Sequence, residues 1–214
     1  DGFDDLIIGA PVASPNGTWS GSSYIIYGKN DTNTVDISVI ATDGDTDGFA
    51  IDGMTSGDFV GQSVSDAGDV NGDGYDDFII GAYQADPNEP NAGASYVVYG
   101  RPDVAGDKIG TSIDLTQIDA DVGGFVINGA LEDDQAGFSV SGAGDVNGDG
   151  YDDLIVGAPY ADPNGSGSGA SFVVFGSAAG VGIELADLTT GAATDPAVGF
   201  VINGVSADDH SGYS

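Results

Sequence analysis

The 214-residue chain contains no cysteine and almost no cationic side chains. The absence of cysteine excludes disulfides and thiolate metal sites, while leaving the cellular compartment open. Only 3 Lys and Arg residues stand against 35 Asp and Glu residues, so the formal net charge is -32. Such a surface repels nucleic acid and anionic membranes, and neither is expected as a direct partner. Cations that neutralise the carboxylates are the expected counterpart.

Long apolar segments are also missing. No run approaches the roughly 18 consecutive apolar residues of a membrane span, so no direct membrane insertion is predicted. The sequence has neither a recognisable signal peptide nor an initiating Met, which predicts a mature or trimmed piece of a longer protein. With 40% hydrophobic residues and 37 glycines, the chain can bury a core but needs many turns.

A repeated acidic run organises the sequence. The run Asp-Val-Asn-Gly-Asp-Gly-Tyr-Asp-Asp occurs at residues 69–77 and 145–153, and its second half begins the chain. Each copy leads into an apolar segment that ends in Gly-Ala. This self-similarity predicts one repeat array with units at 1–72, 73–148 and 149–214, the last one truncated. Because the chain stops inside a further copy of the pattern, we expect a fragment of a longer array.

Each unit holds about four short segments rich in β-branched and aromatic residues and bounded by Gly, Asp, Asn or Pro. No stretch shows a helical period, so we predict an all-β fold. Four antiparallel strands per repeat favour β-propeller-type blades, with a β-solenoid or tandem sandwiches as alternatives. Three repeats are too few to close a ring, which needs about four blades. The Gly-Ala-ended segments, apolar on both faces, are predicted to be inner strands buried between blades. The connections from the second to the third strand are predicted surface segments.

The acidic run carries oxygen ligands at the alternate positions that a calcium loop needs. Counted from its first Asp, positions 1, 3, 5 and 9 are Asp, Asn, Asp and Asp, and the Tyr at position 7 offers a carbonyl. Glycine at position 6 permits the sharp turn. Two complete sites are predicted, comprising Asp69, Asn71, Asp73, Tyr75 and Asp77 in the first and Asp145, Asn147, Asp149, Tyr151 and Asp153 in the second. A partial site comprises Asp1, Phe3 and Asp5.

The loop differs from an EF-hand in its second half. An EF-hand places Glu at position 12 between two helices, whereas position 12 here is Ile80 or Val156 within a predicted strand. The pattern therefore predicts a calcium loop on a β-hairpin. Asx-turns without an ion are the alternative. The intervening Asp76 and Asp152 are expected to face solvent or to cap the turn.

Taken together, these motifs resemble the FG-GAP repeats of the integrin alpha-subunit β-propeller and of bacterial proteins that carry them. The motifs behind the name are Phe59-Val60-Gly61, Gly9-Ala10-Pro11 and Gly157-Ala158-Pro159, whereas Gly81-Ala82-Tyr83 lacks the proline. The resemblance implies that each repeat is one blade, that seven blades usually close the ring, and that the acidic loops hold structural calcium.

Three functions are open at this point. The first is a calcium-stabilised extracellular adhesion or structural module of a cell surface, matrix or filament, binding protein or glycan partners or neighbouring copies. The second is a lectin-like propeller in which Trp19, Tyr83 and Tyr160 stack on sugars, although these rings can simply pack the loops. The third is a propeller attached to a secreted enzyme. The only histidine, His210, has no nucleophile beside it in sequence, so no catalytic activity is expected.

Three N-glycosylation triplets lie in predicted loops, at Asn16, Asn30 and Asn164. Such triplets also arise by chance in loops rich in Asn and Ser. They are candidate modification sites if the protein is extracellular.

Overall fold

The structure, a computed structural model, describes residues 3–43, 47–100, 112–119, 123–180, 182–190 and 198–214. Thirteen strands and three short helices follow one another along these residues. In chain order they are β1 Leu6–Ala10, β2 Ser22–Ile26, α1 Ile37–Asp43, β3 Gly48–Asp52, β4 Ser63–Gly68, β5 Asp77–Ala82, β6 Ala94–Val98, β7 Ser112–Asp114, α2 Leu115–Asp119, β8 Gly124–Asn128, β9 Ser139–Gly144, β10 Asp153–Ala158, β11 Ala170–Val174, β12 Ile183–Glu184, α3 Leu185–Thr190 and β13 Gly199–Asn203.

The strands form three separate sheets, which we call blades 1, 2 and 3. Blade 2 is an antiparallel meander in the order β4-β5-β6-β8, and blade 3 repeats it as β9-β10-β11-β13. Blade 1 contains β1-β2-β3 in the same arrangement. The prediction of an all-β fold with propeller-type blades of about four antiparallel strands is confirmed. Each of blades 2 and 3 includes a strand on either side of an acidic loop, so the predicted unit limits at 72 and 148 fall inside those loops.

Two details of the strand prediction were wrong. The strand at the inner end of blades 2 and 3 is the one before the acidic loop, and the apolar segment after the loop is second in order. The sequence pattern also predicts that this strand begins at Phe59, but β4 begins at Ser63, because Phe59 lies in a turn with φ of 56° rather than in extended backbone. Ser63 of β4 accepts a hydrogen bond from Val140 of β9 at 3.0 Å, which brings the inner strands of the two blades side by side.

Most of the hydrophobic core lies between the blades, and a smaller cluster packs α1 against blade 1. In β5, Ile79 packs into a cluster with blade 3, while the next residue, Ile80, packs into a cluster with blade 1. Alternate side chains of one strand point to opposite faces, so a strand between two blades must be apolar on both. This burial between blades was predicted and holds for β5. In β10, Leu154 and Val156 pack into the cluster shared with blade 2, while Ile155 on the other face is only partly buried. In β1 the side chains of Leu6 and Ile8 are exposed on the outer face of blade 1.

Glycine at the end of the second strand lets the backbones of adjacent blades touch. The turn before β9, in blade 3, brings Gly137 against Gly81 of β5, in blade 2, and the turn before β4 brings Gly61 against Gly9 of β1 in the same way. A Cβ atom added at Gly81 would overlap the carbonyl oxygen of Gly137. The Gly-Ala ending is therefore a requirement of the contact between blades.

The connections leading to the third strand of each blade contain structure that the sequence pattern missed. Helices α1, α2 and α3 have only five to seven residues, fewer than about two turns, and are too short to show a helical period. In the described part of the chain, no helix is long and apolar enough to cross a membrane. Just before α2 and α3, strands β7 and β12 pair in parallel with the outer strand of the preceding blade. We call β7 and β12 the clasp strands, because each one ties its own blade to the one before it.

Replacing Gly81 with Ala should destabilise the fold by about 2–3 kcal/mol, because the added methyl group separates blade 2 from the turn of Gly137. Gly57→Ala is the matched control. Gly57 has a φ of 92° but open space around its Cβ position, so only backbone strain of about 1 kcal/mol is expected. Chemical denaturation of both variants measures the difference. Equal losses would contradict the role of Gly81 in blade contact.

Candidate metal centre

The two acidic loops connect the first and second strands of blades 2 and 3. Residues 69–76 join β4 to β5, and residues 145–152 join β9 to β10. In both loops the glycine at position 6, Gly74 or Gly150, has a φ above 90°, a backbone conformation that side chains rarely adopt. The loop sequence thus folds as a tight turn on a β-hairpin, as predicted.

In the first loop the ligand candidates are held by the backbone of the loop itself. Asp69 accepts hydrogen bonds from Gly72 and Asp73 at its Oδ1 and from Gly74 at its Oδ2, with distances of 2.7–3.0 Å. The side chain of Asn71 donates to Asp73 Oδ2 at 3.1 Å, and its Oδ1 accepts from the Asp73 N–H. Asp73 Oδ1 accepts from the N–H of Tyr75. Positions 1, 3 and 5 are therefore brought together, while the Tyr75 ring is exposed.

Asp77, at position 9, anchors the loop to the blade. Its side chain is fully buried, and its two oxygens accept N–H bonds from Val70 at 3.0 Å and from Gly100 at 2.8 Å. Burial raises the pKa of Asp77 to about 7, because desolvation of the carboxylate outweighs these two donors. The carboxyl group thus links the acidic loop and the start of β5 to Gly100, which lies just after β6.

The second loop repeats this arrangement bond for bond. Asp145 caps the turn through Gly148, Asp149 and Gly150, and Asn147 bonds to Asp149 at 2.8 Å. Asp153 is fully buried and accepts from Val146 and Gly176 at 2.8 and 2.9 Å. The N–H of Tyr151, at position 7, donates to Asp149 in the same way as the N–H of Tyr75 donates to Asp73.

The loops also touch each other, which the sequence did not reveal. Asp152 Oδ2 accepts a hydrogen bond from the backbone N–H of Asp69 at 2.9 Å, so its carboxylate joins the two loops rather than simply facing solvent. Gly72 faces the ring of Tyr151 so closely that a Cβ atom there would collide with it. Asp76 takes the corresponding place in the first loop, and desolvation together with Asp66 and Asp152 raises its pKa.

The half-site at the start of the chain shares only the anchor. Asp5 Oδ1 accepts the N–H of Gly28 at 2.8 Å, as Asp77 does from Gly100. Phe3 is exposed, and Asp1 lies outside the described residues.

The loops fit calcium in donor chemistry. Carboxylate, amide and carbonyl oxygens are the ligands that calcium prefers, and the buried carboxylates of Asp77 and Asp153 keep one lone pair on each oxygen. The only Lys or Arg in the described ranges is Lys29, which lies 3.5 Å from Asp31 and 4.0 Å from Asp47. Across those same ranges, no three acidic or histidine side chains converge closely enough to hold a metal ion. The carboxylates turn instead onto the loop N–H groups.

The matched family model spans the strands around each acidic loop. A model described as the FG-GAP repeat matches residues 61–98 and 136–174, each span running from the turn before the inner strand through the strand that follows the Gly-Ala segment. The chain is an FG-GAP repeat protein. Both matched spans contain one complete acidic loop.

Known relatives share the FG-GAP region over a small part of their own length. The chain is 32% identical to integrin alpha-PS2 of Drosophila melanogaster over 76% of the chain and 11% of that protein. It is 30% identical to human integrin alpha-6 over 68% of the chain and 11% of that protein. A match of 30% identity over 87% of the chain covers 20% of the phosphatidylinositol-glycan-specific phospholipase D of Dictyostelium discoideum.

A row of aromatic rings crosses all three FG-GAP blades. Neighbouring centroids lie 4.7–5.7 Å apart in the order Trp19, Phe59, Tyr83, Phe138 and Tyr213. Trp19 and Tyr83, two of the predicted sugar-stacking residues, are in this row. The third, Tyr160, instead packs edge-on against His210, whose Nδ1 lies 3.0 Å from the Pro159 carbonyl oxygen.

The glycosylation candidates occupy two kinds of environment. Asn30 is exposed. The side-chain nitrogens of Asn16 and Asn164 donate to the carbonyls of Gly53 and Gly204, at 3.1 and 2.8 Å. All three remain predictions as modification sites.

Further carboxylates lie at the junctions between blades. Asp58 lies near enough to Asp86, and Asp134 to Asp162, for their charges to interact, one pair at each junction. Desolvation raises the pKa of Asp58 and of Asp134 to about 6, and the nearby carboxylate of the next blade adds to the rise. These pairs were missed in the sequence, although Asp86 and Asp162 both stand in a repeated Asp-Pro-Asn triplet.

Asp134→Asn should stabilise the fold at neutral pH. A folded-state pKa of about 6, above the ordinary 3.8, means that the contribution of Asp134 to stability is fully present below pH 3.8 and lost as the pH rises through about 6. At pH 7.5 we expect a gain of about 1–3 kcal/mol that vanishes near pH 4. Denaturant unfolding across this pH range, in constant calcium and salt, measures it. Glu132→Gln, an exposed neighbour, is the control, and a gain independent of pH would contradict the assignment.

Proposed function

We propose that this FG-GAP chain is a calcium-stabilised, non-enzymatic module of an extracellular adhesion or structural protein. The observation that carries the proposal is the duplicated acidic loop. Two loops of identical sequence make the same hydrogen bonds and end in a fully buried Asp, and they are set in a repeat shared with integrin alpha subunits.

Calcium would be held by Asp69, Asn71, Asp73, Tyr75 and Asp77 in the first loop and by Asp145, Asn147, Asp149, Tyr151 and Asp153 in the second. When bound, the ion supplies positive charge to carboxylates that otherwise repel one another. The chain's own part is to hold the ligands in place. Position 9 secures the loop to two strands, and the glycine at position 6 sets the turn. Asp152 would carry the effect of an occupied second loop to Asp69 of the first.

The proposed calcium sites and the integrin alpha relatives both support an extracellular location. Sites built from such loops fill at the millimolar calcium of the extracellular space. The integrin alpha relatives support an adhesion role in which the loops of rigid blades contact a protein or glycan at a cell surface, or neighbouring copies in an assembly. The predicted half-site of Asp1, Phe3 and Asp5 would need further ligands.

The non-enzymatic assignment also remains a proposal. One relative is named as a phospholipase D, but the alignment covers 20% of that protein. The sole histidine contacts a backbone carbonyl and a tyrosine ring, and both contacts are structural. The acidic residues of the loops are accounted for by calcium.

Calcium titration of chelator-treated protein tests the proposal. Calorimetry should detect two sites, and the melting temperature should rise, since filling a site to 100 times its dissociation constant adds about 2.7 kcal/mol. Sodium chloride at equal ionic strength controls for general screening of the acidic surface.

Loop variants then assign the sites. Asp73→Asn and Asp149→Asn should each remove one site, and together both. Glu89→Gln, which removes an exposed charge outside the loops, should leave both. Calcium heat that persists in the double variant, or a melting temperature that responds only to ionic strength, would refute structural calcium in these loops.

Glycan binding is a second candidate, favoured by the strained aromatic pair in blade 1. Trp19 and Phe59 stack at 5.7 Å, and both have a φ of 56°, a left-handed conformation that is costly for bulky residues. The corresponding position to Trp19 in blade 2 is Asn91, a residue type that tolerates this conformation. Such strain at a half-exposed aromatic pair marks a place where ligand contact is to be tested.

Trp19 is the only tryptophan, so its fluorescence reports directly on that surface. A glycan array in calcium should give hits whose titration changes the emission of Trp19. Trp19→Asn, which gives blade 1 the residue type that blade 2 has at Asn91, should abolish them while preserving the melting transition. An array without binding, or binding unchanged in the variant, would leave the aromatic row as packing only.

A further inference from the structure

The clasp strands join neighbouring blades in a repeated way. At the junction of blades 1 and 2, Ile113 and Asp114 of β7 pair in parallel with Ile51 and Asp52 of β3. At the junction of blades 2 and 3, Ile183 and Glu184 of β12 pair with Ile127 and Asn128 of β8. In both cases the next residue, Leu115 or Leu185, begins a short helix and is buried in the core between the blades.

Two asparagines of blade 2 bind Glu184 of β12, the clasp strand that comes from blade 3. Glu184 Oε2 accepts a hydrogen bond from Asn88 at 2.7 Å, and its Oε1 accepts one from Asn128 at 2.8 Å. Amide donors satisfy both carboxylate oxygens without adding charge to an acidic surface. Blade 2 therefore binds β12 through side-chain hydrogen bonds to Glu184 as well as through strand pairing.

Blade 3 carries the same pair of asparagines beside a strand edge with which no other strand of the described ranges pairs. Asn203 stands where Asn128 stands in blade 2, since each pairs with the first residue of the strand before it in the sheet. Asn164 occupies the place of Asn88 in the Asp-Pro-Asn triplet. Strand β13 is terminal in its sheet, with Phe200 at 45% and Ile202 at 48% exposure. Their blade 2 counterparts, Phe125 and Ile127, are 5% and 0% exposed.

We infer that the outer edge of β13 is an acceptor for an Ile-Glu-Leu segment, with Asn164 and Asn203 binding the glutamate. The segment adds to the sheet as a parallel strand, and its leucine covers the apolar side chains of β13. The occupant is thus a polypeptide with the chemistry of residues 183–185, belonging to an adjoining FG-GAP repeat. This inference does not depend on calcium binding or on adhesion.

Blade 1 differs from blade 2 at this junction. There the clasp residue is Asp114, and the edge residue that pairs with it is Asp52 instead of asparagine. Asn16, the counterpart of Asn88, donates to the carbonyl of Gly53. Asn164 makes the same carbonyl contact, to Gly204, beside β13, with which no further strand of the described ranges pairs. The second N–H of the Asn164 side-chain amide can then donate to an incoming carboxylate.

Peptide titration followed by NMR tests the acceptor. The probe is a capped peptide of residues 182–190, Gly-Ile-Glu-Leu-Ala-Asp-Leu-Thr-Thr, added to isotope-labelled, unglycosylated 214-residue chain in calcium and roughly 0.15 M salt, which screens the acidic surface. Shifts are expected in Gly199–Asn203 and in the side-chain amides of Asn164 and Asn203. The dissociation constant should be on the order of 1 mM, because the added strand is short.

Variants of both partners separate specific recognition from general edge pairing. Changing the peptide glutamate to Gln or Asp should weaken binding about tenfold, because a hydrogen-bonded charge is lost or falls short of the amides. Asn203→Asp should weaken it at least as much, with Asn164→Asp as a second variant. Gln62→Asp adds the same charge elsewhere and should have no effect. Absent shifts at about 5 mM peptide, shifts outside β13, or equal binding of the Gln peptide would overturn the inference.

Discussion

Contact between neighbouring blades is the constraint on which the rest of the structure depends. Within the described ranges, none of the three sheets buries both of its faces alone, and the two larger apolar clusters lie in the spaces between sheets. That arrangement explains why β5 is apolar on both faces and why glycine stands where the backbones of two blades touch. It also explains the carboxylates buried at the junctions, since Asp58 and Asp134 lose solvent as the blades come together.

Two devices reinforce the junction of blades 2 and 3 from opposite ends of the blade. At the outer edge, a clasp strand crosses back to the preceding sheet and inserts a leucine into the shared core. Near the inner end, the acidic loops meet through Asp152 and the backbone of Asp69. The loop anchored by Asp77 or Asp153 is thus attached to its own blade and linked to its neighbour. The conformation of the loops is consequently coupled to the packing of the blades, and a cation bound in one loop would affect both loops.

Much of the fold could be predicted because the repeat displays it three times. The strand segments, the turn glycine and the anchoring Asp77 each recur at matching positions, and local chemistry suffices to interpret them. Phe59 could not be placed, since a bulky residue in left-handed backbone is stabilised by ring packing across the blades rather than by its own preference. The short helices and the hydrogen bonds to Glu184 depend on contacts between residues that are distant in the sequence. The role of the asparagines is visible only when Asn88, Asn164 and Glu184 are compared in three dimensions.

The clasp has a mechanical consequence. Strand β12 is covalently part of the connection within blade 3 but is hydrogen-bonded to the edge of blade 2. A force that draws these two blades apart must therefore break strand pairing and the grip of Asn88 and Asn128 on Glu184, in addition to exposing Leu185. Tension would thus be shared among a sheet, a polar contact and an apolar core, and the junction resists extension more than apolar packing alone would allow.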